Sequence, residues 1–263
     1  MTRKDLESLK RWFSDYSKSF YSLNKEDNRN ISLKEKHTSN VRKDIVRIAK
    51  DLALANDRIM LAEAIALFHD IGRFSQYAKY KTFNDSLSIN HGLLGAKILL
   101  EERILQNLPD NEQRLIIESV RFHNTFSLSK SKDQEKILFL KLIRDADKLD
   151  IWRVFIEYYE SPEEKKASAA GLGLPDHPGY SQKVFLHLYK KRVATLASIK
   201  SLNDFKLMQL SWIYDLNFKA SLRLLLKRKY TDRMISKLPQ TEEIRGLSAF
   251  LYDYVRQRLK EDS

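Results

Sequence analysis

The sequence contains no cysteine, which excludes disulfides, thiolate metal sites and a cysteine nucleophile, so any metal must be held by His, Asp or Glu. Seven glycines and five prolines in 263 residues are too few for the many turns of a sandwich, barrel or propeller. No apolar run approaches the ~18 residues of a membrane span. The opening Met1-Thr2-Arg3-Lys4-Asp5-Leu6-Glu7 lacks the apolar stretch of a signal peptide. The expected location is therefore cytoplasmic. Internal repeats and low-complexity segments are also missing.

What is present is the composition of a folded protein, 43% hydrophobic and 31% charged. The net charge is +12, of which +4 lies in residues 1–160 and +8 in residues 161–263. Such a surplus favours an anionic substrate or partner without specifying which. Apolar residues recur at three- and four-residue steps over 3–23, where Leu6, Leu9, Trp12, Phe13, Tyr16 and Phe20 share a stripe. Polar residues Asn24 to Asn30 interrupt the pattern, and further helical segments are expected near 34–54, 58–70, 87–107, 111–124 and 134–160. The Phe74–Ser86 stretch lacks this period and reads as a functional loop. Pro162, Gly171, Gly173, Pro175, Pro178 and Gly179 gather in one segment and mark a boundary, after which helical patterns resume near 181–200, 203–229 and 240–260. The expected class is all-α. Its divisions are an N-terminal helix packing on the core within 1–30, a helical core over 31–160, and a basic helical extension over 161–263.

Four histidines fall where their helices should present apolar faces. His37 is followed by Val41, Ile45 and Ile48; Ala62 and Ile65 precede His69; Leu94, Ile98 and Leu99 follow His91; Ile116 and Val120 precede His123. All four should point inward. Asp147 shares this placement, between Leu140, Ile143, Ile151 and Val154, although Asp145 has an apolar stripe as well. A buried carboxylate is costly unless it is paired or bound to a cation. Several inward imidazoles and carboxylates on separate helices are poor core material singly. Together they supply the ligands a divalent transition metal prefers.

His37, His69-Asp70 and Asp147, in this order on a helical chain, resemble the H…HD…D pattern of the HD-domain metal-dependent phosphohydrolases. Ala64-Ile65-Ala66-Leu67-Phe68-His69-Asp70-Ile71-Gly72-Arg73 is similar to that family's central helix and its exit, where Gly72 suggests a turn of positive φ. His91 and His123 complete the fuller H…HD…H…H…D pattern, at spacings of 32, 22, 32 and 24 residues from His37 through Asp147. The resemblance covers residues 31–160 and favours Asp147 over Asp145.

It implies one ion held by His37, His69, Asp70 and Asp147, with Asp70 bridging to a second at His91 and His123. Each ion would keep positions for water and a phosphate oxygen, and a metal lowers the pKa of water to as little as ~7. Mn, Fe, Co, Ni and Zn all suit this ligand set. The implied reaction is hydrolysis of a small phosphorylated substrate, a nucleotide first among them, as a phosphomonoester or phosphodiester. Asp70, Arg73 and Lys148 would be catalytic. Arg73 and Lys148 are the nearest cations in sequence for a phosphoryl group, beside their ordinary reading as salt-bridge partners. Asn124 is a further substrate-contact candidate, although it, Asn84 and Asp85 read first as helix caps. Asp150 reads as a helix-surface carboxylate paired with a neighbouring base, and His177 and His187 as surface residues. The alternative is a metal-stabilised module that binds RNA or another polyanion through Arg223, Lys227 and Arg228, which no recognised nucleic-acid motif supports.

Overall fold

The computed structural model describes residues 1–128, 131–162, 164, 166–170 and 173–261. Gly171, one of the expected boundary residues, lies outside them. The fold is all-α, with no strand among the described residues. Contacts divide the chain into two compact units, Met1–Asp150 with Glu163–Ala170, and Ile151–Pro162 with Gly171–Ser263. Residues 1–30 fall within the first unit.

The first unit begins with α1 (Arg3–Lys18), α2 (Lys25–Asp51) and α3 (Asn56–Phe68). It continues with α4 (Gly72–Tyr80), α5 (His91–Glu101), α6 (Asp110–Phe122) and the first part of α7 (Gln134–Glu160). Its centre is α3, whose Leu61, Ala62, Ala64, Ile65, Ala66, Leu67 and Phe68 are all buried. A helix that is apolar around its circumference has no solvated face to keep. It packs on α1, α2 and α6. From α1, Trp12 and Phe13 set their rings edge-on against Phe68, and Phe13 also meets Phe74 of α4.

Two expectations of irregular structure give way here. The Asn24–Asn30 interruption is the first turn of α2: Asn24 accepts from the amides of Glu26 and Asp27, and those two carboxylates suit the positive helix end. The polar run is a helix start rather than a gap. The Phe74–Ser86 stretch is helical as far as Tyr80, because Phe74 and Tyr77 bury one face and buried Gln76 finds polar partners. Only two apolar anchors fix this short helix, too few to establish a period. The remaining loop, 81–90, contains a 3₁₀ turn over Asp85–Leu87.

The second unit contains the end of α7 and α8 (Gln182–Tyr189), α9 (Leu202–Ser211), α10 (Lys219–Lys227), α11 (Tyr230–Ile235) and α12 (Glu242–Lys260). The helix expected over 203–229 is broken by a 3₁₀ turn at Trp212–Asp215, and the one expected over 181–200 stops at Tyr189. Buried Asp204 ties the unit's first segments together, accepting from the amide and hydroxyl of Ser181 and from the amide of Lys200. Trp152 donates its indole N–H to the carbonyl of Gln209. Ile244, Leu247, Leu251 and Val255 form the buried stripe of α12.

Candidate metal centre

Four helix positions in the first unit deliver imidazoles to one place. His37 sits in the middle of α2, His69 and His123 directly follow the last residues of α3 and α6, and His91 is the first residue of α5, behind its cap Asn90. All four are at most 4% exposed. The chain reaches the second pair only because α4 starts against α5. A Cβ on Gly72 would lie 2.3 Å from the carbonyl oxygen of His91 and 2.8 Å from the amide nitrogen of Gly95. The only glycine of positive φ among the described residues is Gly173. The expectation of a positive-φ turn at Gly72 is thus corrected: glycine is needed there for close backbone approach.

The ligand atoms fall into two groups that share Asp70. Around Oδ2 of Asp70 stand Nε2 of His37 at 3.5 Å and Nε2 of His69 at 3.9 Å. Asp147 brings Oδ1 to 3.1 Å from His37 Nε2 and 3.6 Å from His69 Nε2. Around Oδ1 of Asp70 stand Nε2 of His91 at 3.3 Å and Nε2 of His123 at 4.0 Å. His37, His69 and Asp70, and likewise Asp70, His91 and His123, place ligand atoms within 4.8 Å of one another. One buried carboxylate thus faces a histidine pair with each oxygen.

The outer ring nitrogens test whether a cation fits. Nδ1 of His69 lies 2.8 Å from the carbonyl of Ala66, and Nδ1 of His123 2.8 Å from the carbonyl of Val120. A carbonyl only accepts, so both Nδ1 atoms carry the proton and both Nε2 atoms present lone pairs. Carboxylates hold the other two rings, Asp150 Oδ2 at 2.8 Å from His37 Nδ1 and Asp85 Oδ2 at 2.7 Å from His91 Nδ1. Nε2 of His37 is nevertheless 3.2 Å from that of His69, and Nε2 of His91 is 3.0 Å from that of His123. The lone pairs of His69 and His123, each this close to a second ring nitrogen, call for a proton or a cation between the two. Outer-sphere acceptors of this kind orient histidines that ligate metals.

Electrostatics agree. Burial opposes the charge on Asp70, but Lys34, His69, Arg73 and His91 outweigh it and hold the carboxyl well below its ordinary range. Asp147 is likewise held low against its burial, chiefly by the hydrogen bond from His37. Burial disfavours a charged His37, yet Asp147 and Asp150 override it and raise the ring to about 9, where a proton takes the place a metal would occupy. Burial pushes His123 down to about 3, helped by neighbouring His91 and His69. Burial and Arg73 together lower His91.

The other expected site residues are placed as follows. Arg73 approaches Asp70, with Nε 3.5 Å from Oδ1, but its Nη1 is engaged by Gln76 Oε1 at 2.8 Å, the carbonyl of Phe83 at 2.6 Å and Asp85 Oδ1 at 2.7 Å. Lys148 points Nζ back along α7, 3.5 Å from the carbonyl of Arg144. Asn124 donates to Asn90 and Asp85, and its buried Oδ1 has no hydrogen-bond partner. Asn84 caps the 3₁₀ turn through the amide of Ser86. Asp150 is not on a surface: it is 1% exposed and holds His37, so the surface reading is corrected. Asp85 does more than cap, joining Arg73, Gln76, His91 and Asn124. Sequence reading passed over Lys34, whose Nζ donates to Asp70 Oδ2 at 2.9 Å. Its signal is spacing, since Lys34 lies three residues before His37 on the same helix and so nearly beneath it.

This all-α unit brings four histidines and Asp147 around the carboxylate of Asp70, in two groups that could each hold a metal ion. The HD-domain family model matches residues 35–152, which include every one of these six residues. Over that segment the chain is similar to the HD domain, whose superfamily is one of metal-dependent phosphohydrolases. No curated protein and no solved structure gives a significant match.

Proposed function

We propose that this chain hydrolyses a small phosphorylated substrate, a nucleotide being the foremost class, by metal-activated water. The observation that carries the reading is the division of Asp70, one oxygen toward His37 and His69 and the other toward His91 and His123. In this reading His37, His69, Asp70 and Asp147 hold one divalent ion, and Asp70, His91 and His123 a second. When bound, such ions supply Lewis acidity to a phosphoryl oxygen and make hydroxide accessible near neutral pH.

The protein's part is preorganisation. Ala66, Val120, Asp85 and Asp150 fix the ring orientations and keep the four Nε2 atoms directed inward. The cations beside Asp70 keep it ionised and make the pocket attractive to a phosphate dianion. Arg73 holds the 81–90 loop through Phe83 and Asp85 and thereby steadies His91. Lys148, next to Asp147 in sequence, and Asn124, whose buried Oδ1 has no partner, are the candidates for substrate contact.

The test is metal analysis of protein purified without added metal, followed by assay with Mn or Co on nucleotides, cyclic nucleotides and phosphomonoesters. Release of phosphate or a nucleotide product is expected, and Asp70→Ala should abolish it, because it removes the residue common to both groups. Metal-replete wild type that turns over nothing on that panel overturns the reading.

A further inference from the structure

Two cationic side chains flank Asp70 from opposite oxygens, and they differ in what their hydrogen bonds hold: Arg73 is tied to the 81–90 loop, Lys34 to Asp70 alone among the described residues. Arg73 sits on the Oδ1 side with Nη1 spent on three protein acceptors. Lys34 sits on the Oδ2 side, 2.9 Å from that oxygen. An ammonium has three N–H donors. Asp70 takes one, and no other protein acceptor engages Lys34 among the described residues.

The ammonium is nonetheless held in place. The ring of Phe83 lies beneath it, 4.9 Å from Nζ, and Phe83 is fixed in turn by Tyr77 at 5.3 Å and by the Arg73 bond to its carbonyl. The Lys34 side chain is 16% exposed, so it is largely sheltered without being sealed from solvent. Oδ2 is also the oxygen that faces His37 and His69, so the two unspent donors lie next to the first ligand group. An unengaged charged donor, fixed beside the place where negative charge gathers during phosphoryl transfer, is built for electrostatic stabilisation. Lys34 precedes the matched segment 35–152.

We propose that Lys34 is a substrate-contacting residue that grips a nonbridging phosphoryl oxygen from the side of His37 and Asp147, while Arg73 positions the 81–90 loop. This rests on the phosphohydrolase reading above. No bond to Lys34 forms or breaks, and its proton stays on nitrogen throughout.

The test uses the full chain loaded with Mn, comparing wild type with Lys34→Met, Lys34→Gln and Lys34→Arg. Three quantities are read: Mn affinity by calorimetry, affinity for inorganic phosphate, and hydrolysis of p-nitrophenyl phosphate. A charge-assisted hydrogen bond corresponds to roughly 10- to 100-fold in binding. Lys34→Met should therefore weaken phosphate binding by about that factor and lower kcat/KM at least as much. It should bind Mn as tightly as wild type or more so, because a neighbouring positive charge has gone. Lys34→Arg should recover part of the phosphate affinity. If Lys34→Met loses its helical circular dichroism, Lys34→Gln carries the comparison.

Unchanged phosphate affinity in the neutral variants overturns the proposal. So does joint loss of Mn and phosphate, which would make Lys34 a brace for Asp70. Wild type that takes up Mn but neither binds phosphate nor hydrolyses any ester overturns the phosphohydrolase reading as well. Wild type that does both, with neutral variants that match it, overturns the Lys34 assignment alone.

Discussion

His37 and His123 look into the same cluster from different helices and are driven in opposite directions. Both are buried, but His37 has Asp147 and Asp150 on its two nitrogens, whereas His123 faces other imidazoles and gives its outer nitrogen to a neutral carbonyl. The consequence for metal-free protein follows from linkage. His37 is raised to about 9, so its contribution is complete below the ordinary value of 6.5 and is lost as pH climbs from there through 9. His123 is lowered to about 3, so its contribution is complete above 6.5 and is lost as pH falls toward 3. These two groups give the metal-free chain its greatest stability near pH 6.5. Thermal unfolding in excess chelator across pH 5–9 checks this, and a midpoint that keeps rising to pH 9 contradicts it. Asp150 shows why a single residue resists interpretation from sequence. Its neighbours along α7 suggest a surface position, and only the approach of α2 makes it the partner of His37.

At the scale of elements, the decisive joint is the start of α4 against the start of α5. Gly72 allows it, since an added Cβ would strike backbone atoms, and backbone cannot step aside as a side chain can. Gly72→Ala should cost about 1–3 kcal/mol, as overpacking does. It should also displace His91, the first residue of α5, and weaken occupancy of the second ligand group. Gly246 is the contrast. It lies within α12, its nearest prospective contact is the Tyr189 hydroxyl at 3.6 Å, and Gly246→Ala should stabilise by about 0.5–1 kcal/mol through helix propensity. Denaturant unfolding of the two variants should shift in opposite directions. Like shifts would undo the assignment of Gly72 to close packing.

For the whole molecule, the ligand candidates and the basic run of Arg223, Lys227 and Arg228 belong to different units. All six ligand candidates lie in Met1–Asp150, while Arg223, Lys227 and Arg228 lie in the other unit. Metal binding should therefore act first on the stability of the first unit. A ligand that binds only the folded state adds about 2.7 kcal/mol at a hundredfold excess over its Kd. The unfolding midpoint of wild type should rise with Mn concentration, and that of Asp70→Ala should rise far less. Equal rises would place the metal elsewhere. Among the described residues no helix is long and apolar enough to cross a membrane.

Much of this was legible without coordinates. The shortage of glycine and proline, with apolar residues at helical spacing, determined an all-α chain. The order His37, His69-Asp70, His91, His123, Asp147, through its resemblance to the H…HD…H…H…D pattern, singled out the ligand candidates that the fold brings together. Tertiary structure alone decided the parts that depend on the meeting of distant segments. These are the tautomers imposed by Ala66 and Val120, the bracing of His37 by Asp150, the spending of Arg73 on the 81–90 loop, and the open donors of Lys34. The physical reason is range: periodicity reports which face of a helix is buried, whereas the direction of a hydrogen bond is set by whichever helix arrives opposite it.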